Sequence, residues 1–264
     1  MDSVTQIVLN VIGGAITVGL IEFGKFAASK LKLRKFKNIF GNDLFSLYGL
    51  HLVYAQLALP PQQNENGSIN THPYVKPSEE TSETGFSIER PVSSCELRAA
   101  KYLSEIIGKE AKRSPELSSD FELQERLNIS FVAFGGPSSN YKSRDLLTNE
   151  GNSFLSFGDK TFITQKTNRP LLNHRPGFDY GVIIKIHPSQ FQERIWLICA
   201  GYGEWGSSGA SWYLAHKWNE IHKFAKDKPF AIIVQVRPGQ DESTEPLIKL
   251  KSFEEAERFA DQLS

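Results

Sequence analysis

Two loops in this chain combine glycines with hydroxyl side chains directly after apolar runs. Gly135-Gly136-Pro137-Ser138-Ser139-Asn140 follows ISFVAF (129–134), and Gly201-Tyr202-Gly203-Glu204-Trp205-Gly206-Ser207-Ser208-Gly209 follows RIWLICA (194–200). Glycine lets a chain leave a strand sharply and lets a ligand approach the backbone. In the first loop the Ser138 and Ser139 hydroxyls and the Asn140 amide can bond a phosphate, a sugar or a base, with Lys142 and Arg144 nearby to supply charge. The competing reading is a tight strand-to-helix turn in which Ser139 or Asn140 caps the helix. The second loop matches G-x-G-x-x-G between a strand and a helix, where free N–H groups at a helix start suit a phosphate. It departs from the dinucleotide fingerprint in two ways. No acid ends a following strand about 20 residues on, since Asp227 falls in a loop, and only one strong strand remains after it. A phosphate-bearing or nucleotide-like ligand is therefore favoured over NAD. Glu204 and Trp205 would contact a base by hydrogen bond and stacking, though Trp205 serves equally well as a core or interface aromatic. The expected ligand-binding set is Gly135, Gly136, Ser138, Ser139, Asn140, Arg144, Gly201, Gly203, Glu204, Trp205, Gly206, Ser207 and Ser208.

Other chemistry is thinly represented. The serines form no G-x-S-x-G elbow. Six histidines (His51, His72, His174, His187, His216, His222) show no metal-ligand spacing, and His216 and His222 fall on different faces of one helix. Asp179 and Asp241 flank strands and would serve a membrane-tethered enzyme acting on a nucleotide or nucleotide-sugar, the alternative function. Cys95 and Cys199 have neither metal spacing nor a disulfide framework, as expected in a reduced compartment. No cofactor, metal or catalytic residue is expected.

The elements that must hold these loops alternate in the manner of an open α/β sheet. Strands are expected at 50–55, 129–134, 180–188, 194–200 and 230–238, the last taken as the final strong strand. A hairpin over 154–164 turns at Gly158-Asp159. Helices are expected from Ser93 to Gly108, with Ser93 or Ser94 and Glu96 as an N-terminal cap, from Lys142 to Leu147, from Ser208 to Ala225, and over FEEAERFADQL at the end. Residues 60–85, rich in Pro, Gln, Asn, Ser, Thr and Glu, read as a long exposed loop. The fold class is α/β: an N-terminal transmembrane helix followed by a Rossmann-like three-layer domain with a hairpin elaboration.

The start of the chain has a different character. VTQIVLNVIGGAITVGLIEFGKFAA (4–28) is the one stretch suited to lipid, and about 20 apolar residues cross a bilayer. A signal peptide would place its charge before the apolar run. Here Lys25, Lys30, Lys32, Arg34, Lys35 and Lys37 lie at its end or beyond. An uncleaved span is favoured over a surface helix or a buried one. The positive-inside tendency then sets a single-pass inner-membrane protein with its N-terminus outside and residues 30–264 in the cytoplasm. The whole chain carries 30 basic and 30 acidic residues. Residues 1–40 hold six Lys or Arg against two acids, leaving 24 against 28 in the rest. That balance argues against general nucleic-acid binding and for a juxtamembrane contact with anionic headgroups. Gln6, Asn10, Gly13 and Thr17 fall on one helical face, and intramembrane polar groups face a partner helix or water. Several copies are expected to associate, with the stripe at a helix interface or lining a pore; the plainer alternative is a simple anchor. Two parts result: residues 1–41 as transmembrane and basic juxtamembrane helix, and residues 42–264 as a cytosolic ligand-sensing domain.

Three stretches also carry a resemblance: RxxSxxExRAAxYLSEIxGKExKRSPEL (90–117), ISFVAFGGPSSNYKSRDLL (129–147) and DYGVIIKIHP with WLICAGYGEWGSSGASWYLAHKW (179–218). The chain resembles a group of bacterial single-pass membrane proteins with a Rossmann-like cytosolic domain. In plan it is similar to nucleotide-regulated membrane effectors of antiphage defence. That resemblance implies a homo-oligomer whose cytosolic domain reads a nucleotide-type signal, a cyclic or linear nucleotide or short oligonucleotide, and controls a pore or other membrane disruption.

Overall fold

The computed structural model describes residues 3–46, 49–56, 62–63, 69–70 and 92–263, with side chains of the N-terminal helix from residue 22 onward. Its elements are α1 (Ser3–Phe40), a 3-10 turn (Asp43–Phe45), β1 (Leu50–Tyr54), the two-residue pair β2 (Gln62–Gln63) and β3 (Ile69–Asn70), α2 (Ser94–Ala111), β4 (Glu116–Ser119), β5 (Ser130–Phe134), α3 (Tyr141–Thr148), β6 (Leu155–Phe157), β7 (Phe162–Thr164), β8 (Asp179–Ile186), β9 (Trp196–Gly201), α4 (Glu204–Ala225), β10 (Phe230–Arg237), β11 (Gln240–Leu250) and α5 (Phe253–Leu263).

Seven strands form one mixed sheet in the order β11-β10-β8-β9-β5-β1-β4. β4, β1, β5 and β9 pair in parallel, while β8 lies antiparallel to both β9 and β10, and β11 antiparallel to β10. Alternation along β5 explains the layering. Val132 and Phe134 point into a core shared with α1, α2 and α4, whereas Phe131 and Ala133 point into a core covered by α3, α5 and the β6–β7 hairpin. The molecule is thus α/β with helices on both faces of the sheet. From β1 the chain crosses outward to β4, and from β5 it moves the other way towards β9. The carboxyl ends of β1 and β5 therefore flank a topological switch point, where ligands of open α/β sheets bind.

The C-terminal end of α1 belongs to this unit. Phe36, Ile39 and Phe40 are fully buried, and Phe36 meets Trp218 edge-on with centroids 5.1 Å apart. Each such side chain stabilises the fold by about 1.5–3 kcal/mol. Lys185, itself fully buried, donates from Nζ to the carbonyls of Asn38 and Asp227, and burial brings its amine down to about 8. Among the described residues no helix is long and apolar enough to cross a membrane. The expected span at 4–28 has its side chains up to residue 21 outside them, as do Gln6, Asn10, Gly13 and Thr17. Apart from β2 and β3, the expected loop at 60–85 is also outside them.

Several boundaries differ from expectation for physical reasons. α2 runs through Gly108 to Ala111 and ends at Lys112, whose φ is 54°. Burial of Leu103, Ile107 and Ala111 outweighs the helix cost of one glycine, about 1 kcal/mol. α4 begins at Glu204, a turn before the expected Ser208, because Gly206 to Ser211 are buried in the interior. β4 and β11 were not expected at all. ELSS is short and polar, and QDESTEPLIKL carries charges and a proline, as strands at the edges of a sheet do. Asp241 consequently lies within β11 rather than in a loop after the last strand.

Candidate functional site

At the switch point the two glycine loops face each other across a cleft of about 400 Å³. Its walls are Ser93, Cys95 and Glu96 at the start of α2, residues 135–139 after β5, Phe157 and Gly158 of the hairpin, and Gly201 to Glu204 with Ser207 at the start of α4.

The first loop is shaped around a carboxyl group. Gly135 has φ +83°, and a Cβ there would lie 2.6 Å from Glu96 Oε1 and 3.1 Å from Ser139 Oγ, so only glycine fits. Gly136 is different: a Cβ would find its nearest atom 3.8 Å away, which leaves the backbone open to the cleft. Glu96 is only 3% exposed, and its Oε2 accepts the Ala55 N–H at 2.6 Å, closing the end of β1. Burial, the largest effect, raises its carboxyl to about 8; the Ala55 N–H pulls it back in part, and the Asp120 carboxylate adds to the rise. Beside it the Cys95 thiol lies 3.0 Å from Ser93 Oγ and is raised chiefly by burial, which keeps it a neutral thiol.

The second loop is closed on itself. A Cβ on Gly206 would sit 2.2 Å from the Tyr180 carbonyl oxygen, and one on Gly181 2.0 Å from that of Gly206. These glycines bring the first turn of α4 against β8 and β9. Asp179 then caps the helix, its Oδ2 accepting the Gly206 N–H at 2.8 Å and its Oδ1 the Tyr180 N–H at 2.7 Å. The positive end of α4 already holds a carboxylate, so the phosphate position expected there is taken. Tyr202 projects over the cleft, its hydroxyl donating to the carbonyls of Gly158 (2.9 Å) and Thr161 (2.6 Å) and its ring 5.2 Å from that of Phe157.

Of the expected residues, Gly135, Gly136, Ser138, Ser139, Gly201, Gly203, Glu204 and Ser207 come together in this cleft. The others do not line it. Asn140 is fully buried and caps α3, accepting the Lys142 and Ser143 N–H groups while its amide donates to the carbonyls of Val53 and Phe134. Arg144 folds onto the Pro137 carbonyl at 3.2 Å, and the buried Lys142 pairs with Asp145 at 2.8 Å, so neither supplies charge to the cleft. Gly206 is consumed in packing. Ser208 donates to Asp241 at 2.6 Å. Trp205 carries the Arg98 guanidinium 4.2 Å above its ring, and Arg98 faces Asp241 at 3.4 Å. Asp179 and Asp241, the residues expected to serve an enzyme, are thus both engaged in holding α4. Both cysteines are free, and among the described residues no cluster of His, Cys, Asp and Glu could hold a metal.

Glu96, Tyr202 and Phe157 were missed as site residues. For Glu96 a signal existed. It shares the stripe of Ala99, Ala100, Leu103 and Ile107 on α2, and an acid on an apolar stripe needs a reason other than capping. Its spacing from Ser93 suggested a capping box, yet Ser93 makes no side-chain cap bond. Nothing in the sequence brings the hairpin's Phe157 to Tyr202. Comparisons of the chain with known protein families, curated proteins and solved structures find no match.

Proposed function

We propose that this chain is a single-pass inner-membrane effector, of the kind that serves bacterial antiphage defence. Its α/β unit senses a nucleotide-type ligand in the switch-point cleft and relays occupancy to associated N-terminal helices, opening a pore or disrupting the membrane. One observation carries the reading: the two helices whose first turns line the cleft are the two on which α1 rests. Lys32 of α1 pairs with Glu110 at the far end of α2 at 2.7 Å, while Phe36 packs on Trp218 and Asn38 lies 3.2 Å from His222, both in α4. Trp218 stands roughly 20 Å along α4 from the cleft at 1.5 Å per residue. A ligand that wedges the starts of α2 and α4 apart changes the bed of α1 only by binding the two arrangements unequally. The N-terminus outside, the cytoplasmic placement of the α/β unit and the self-association complete the proposal on the strength of the residues at 4–37.

The test is thermal melting of the full chain in lipid nanodiscs against mononucleotides, cyclic mono- and dinucleotides, short oligonucleotides, ribose 5-phosphate and pyrophosphate. A ligand at a hundred times its Kd adds about 2.7 kcal/mol, which a melting curve resolves. Stabilisation by at least one nucleotide, lost in Gly136→Val, is expected; silence across the panel refutes the sensor.

A second reading, an enzyme on a nucleotide or nucleotide-sugar, is favoured by Glu96, because a cleft carboxyl titrating near neutrality suits general acid–base catalysis. Turnover of a bound nucleotide would establish it.

A further inference from the structure

The floor of the cleft holds a hydrogen-bonding atom for which the described residues offer no partner. Glu96 Oε2 is engaged by the Ala55 N–H, but Oε1 faces the cleft beside Gly135 and takes part in no hydrogen bond among them. The charged groups around it offer no cation. Behind it Asp120 accepts the Gln56 and Tyr141 N–H groups through its two oxygens. Glu204 at the start of α4 is another carboxylate, Asp179 is bound to Gly206, and Cys95 on α2 is a neutral thiol. Arg98, on the same helix, is turned to Asp241 and Trp205. A carboxyl removed from water among other carboxylates keeps its proton. The Ala55 N–H marks Oε2 as the carbonyl oxygen, which leaves Oε1 as the hydroxyl, a donor aimed into the cleft. Across from it, Tyr202 is 36% exposed and pinned by its hydroxyl to the hairpin, so its ring is a fixed, partly bare aromatic surface. The open cleft, about 400 Å³, is the size of an ordinary small-ligand site.

Building on the sensor reading above, we propose that the cleft is a site for an adenine-type base, which lies against Tyr202 and Phe157 while Glu96 donates to an acceptor nitrogen on its edge. On the Watson–Crick edge adenine N1 is that acceptor, whereas guanine carries an N–H at N1 and would meet the Glu96 hydroxyl donor to donor. The start of α4 plays no part in holding phosphate, since Asp179 fills it.

The experiment is calorimetric titration of the full chain in nanodiscs with AMP and with GMP, from pH 6.5 to 9.5. Wild type is compared with Glu96→Gln, Glu96→Ala and Tyr202→Ala, and circular dichroism establishes that each is folded. AMP is expected to bind about tenfold more tightly than GMP, the worth of one well-placed polar contact. Glutamine presents a carbonyl to Ala55 and an N–H to the cleft, so Glu96→Gln retains AMP binding. Glu96→Ala and Tyr202→Ala each weaken it about tenfold. Above pH 8 the wild-type affinity for AMP falls about tenfold per pH unit, while that of Glu96→Gln stays level. GMP preferred over AMP, Glu96→Gln as weak as Glu96→Ala, or a flat wild-type pH profile each overturns the assignment. If ribose 5-phosphate or pyrophosphate binds but neither nucleoside monophosphate does, the base site falls and the sensor stands. If nothing in the whole panel binds, both fall.

Discussion

The two glycine loops look alike on the page and do opposite things in the fold. After β9, Gly201 and Gly206 are occupied by the chain itself, pressed against each other and against Tyr180, with Asp179 closing the helix start. After β5, Gly135 makes room for the Glu96 carboxyl group and Gly136 makes room for nothing that the described residues contain. A phosphate fingerprint can therefore be consumed in packing at its helix start, while Gly136 in the loop with the weaker motif keeps its backbone open to the cleft. The lesson is that a glycine's meaning depends on which atom stands where its Cβ would be. That atom comes from elsewhere in the sequence.

Substitutions can break or sharpen this contrast. The largest effect is expected for Gly206→Ala. Its Cβ would meet a backbone oxygen at 2.2 Å that no rotamer can move, so denaturant melts should show a loss above about 3 kcal/mol. A near-normal midpoint would mean that the second loop is as open as the first.

Next comes Glu96→Gln, which should stabilise the free protein. The Glu96 carboxyl is raised from 4.5 to about 8 in the folded state, so between those values the folded chain holds a proton that the unfolded chain has released. Wild-type stability consequently falls as pH climbs from 4.5 towards 8, and the glutamine variant escapes the fall. Each unit of pKa displacement corresponds to about 1.4 kcal/mol, so the gain grows with every pH unit climbed above 4.5, reaches a few kcal/mol at pH 8, and shrinks to nothing near pH 4. Melting temperatures across that range measure it; a constant difference between the two proteins would show that Glu96 is an ordinary carboxylate. Lys185, at the other end of β8, works in the opposite sense. Burial lowers its amine to about 8, so it favours folding more as pH rises from 8 towards 10.5.

The smallest effect on folding should come from Gly136→Ala, within about 0.5 kcal/mol, because the added methyl meets only ordinary contacts at 3.8–3.9 Å. A destabilisation like that of Gly206→Ala would show that the first loop is packed shut as well.

Local pattern was enough to find most of the elements. The apolar runs of β5, β8, β9 and β10 have few other places to go than a sheet interior, and the 3.6-residue stripes of α2 and α5 need a surface to cover. Edge strands escaped, since β4 and β11 bury only part of their residues and carry the polar and charged side chains that protect a sheet edge. The mixed order of the sheet was equally hidden, because strand pairing is a long-range choice. So was the anchoring of α1: nothing local to KFKNIF announces that Trp218 and Lys185 will receive it.

By itself, then, the sequence determined the α/β class, the two loops at strand ends and the basic segment after an apolar one, since each follows from residue type and spacing along the chain. Tertiary structure alone decided which loop stays open, that Glu96 is buried with one oxygen facing the cleft, and that α2 and α4 link this cleft to α1. Those properties depend on which distant atoms share a small volume, and no periodicity along one dimension encodes that.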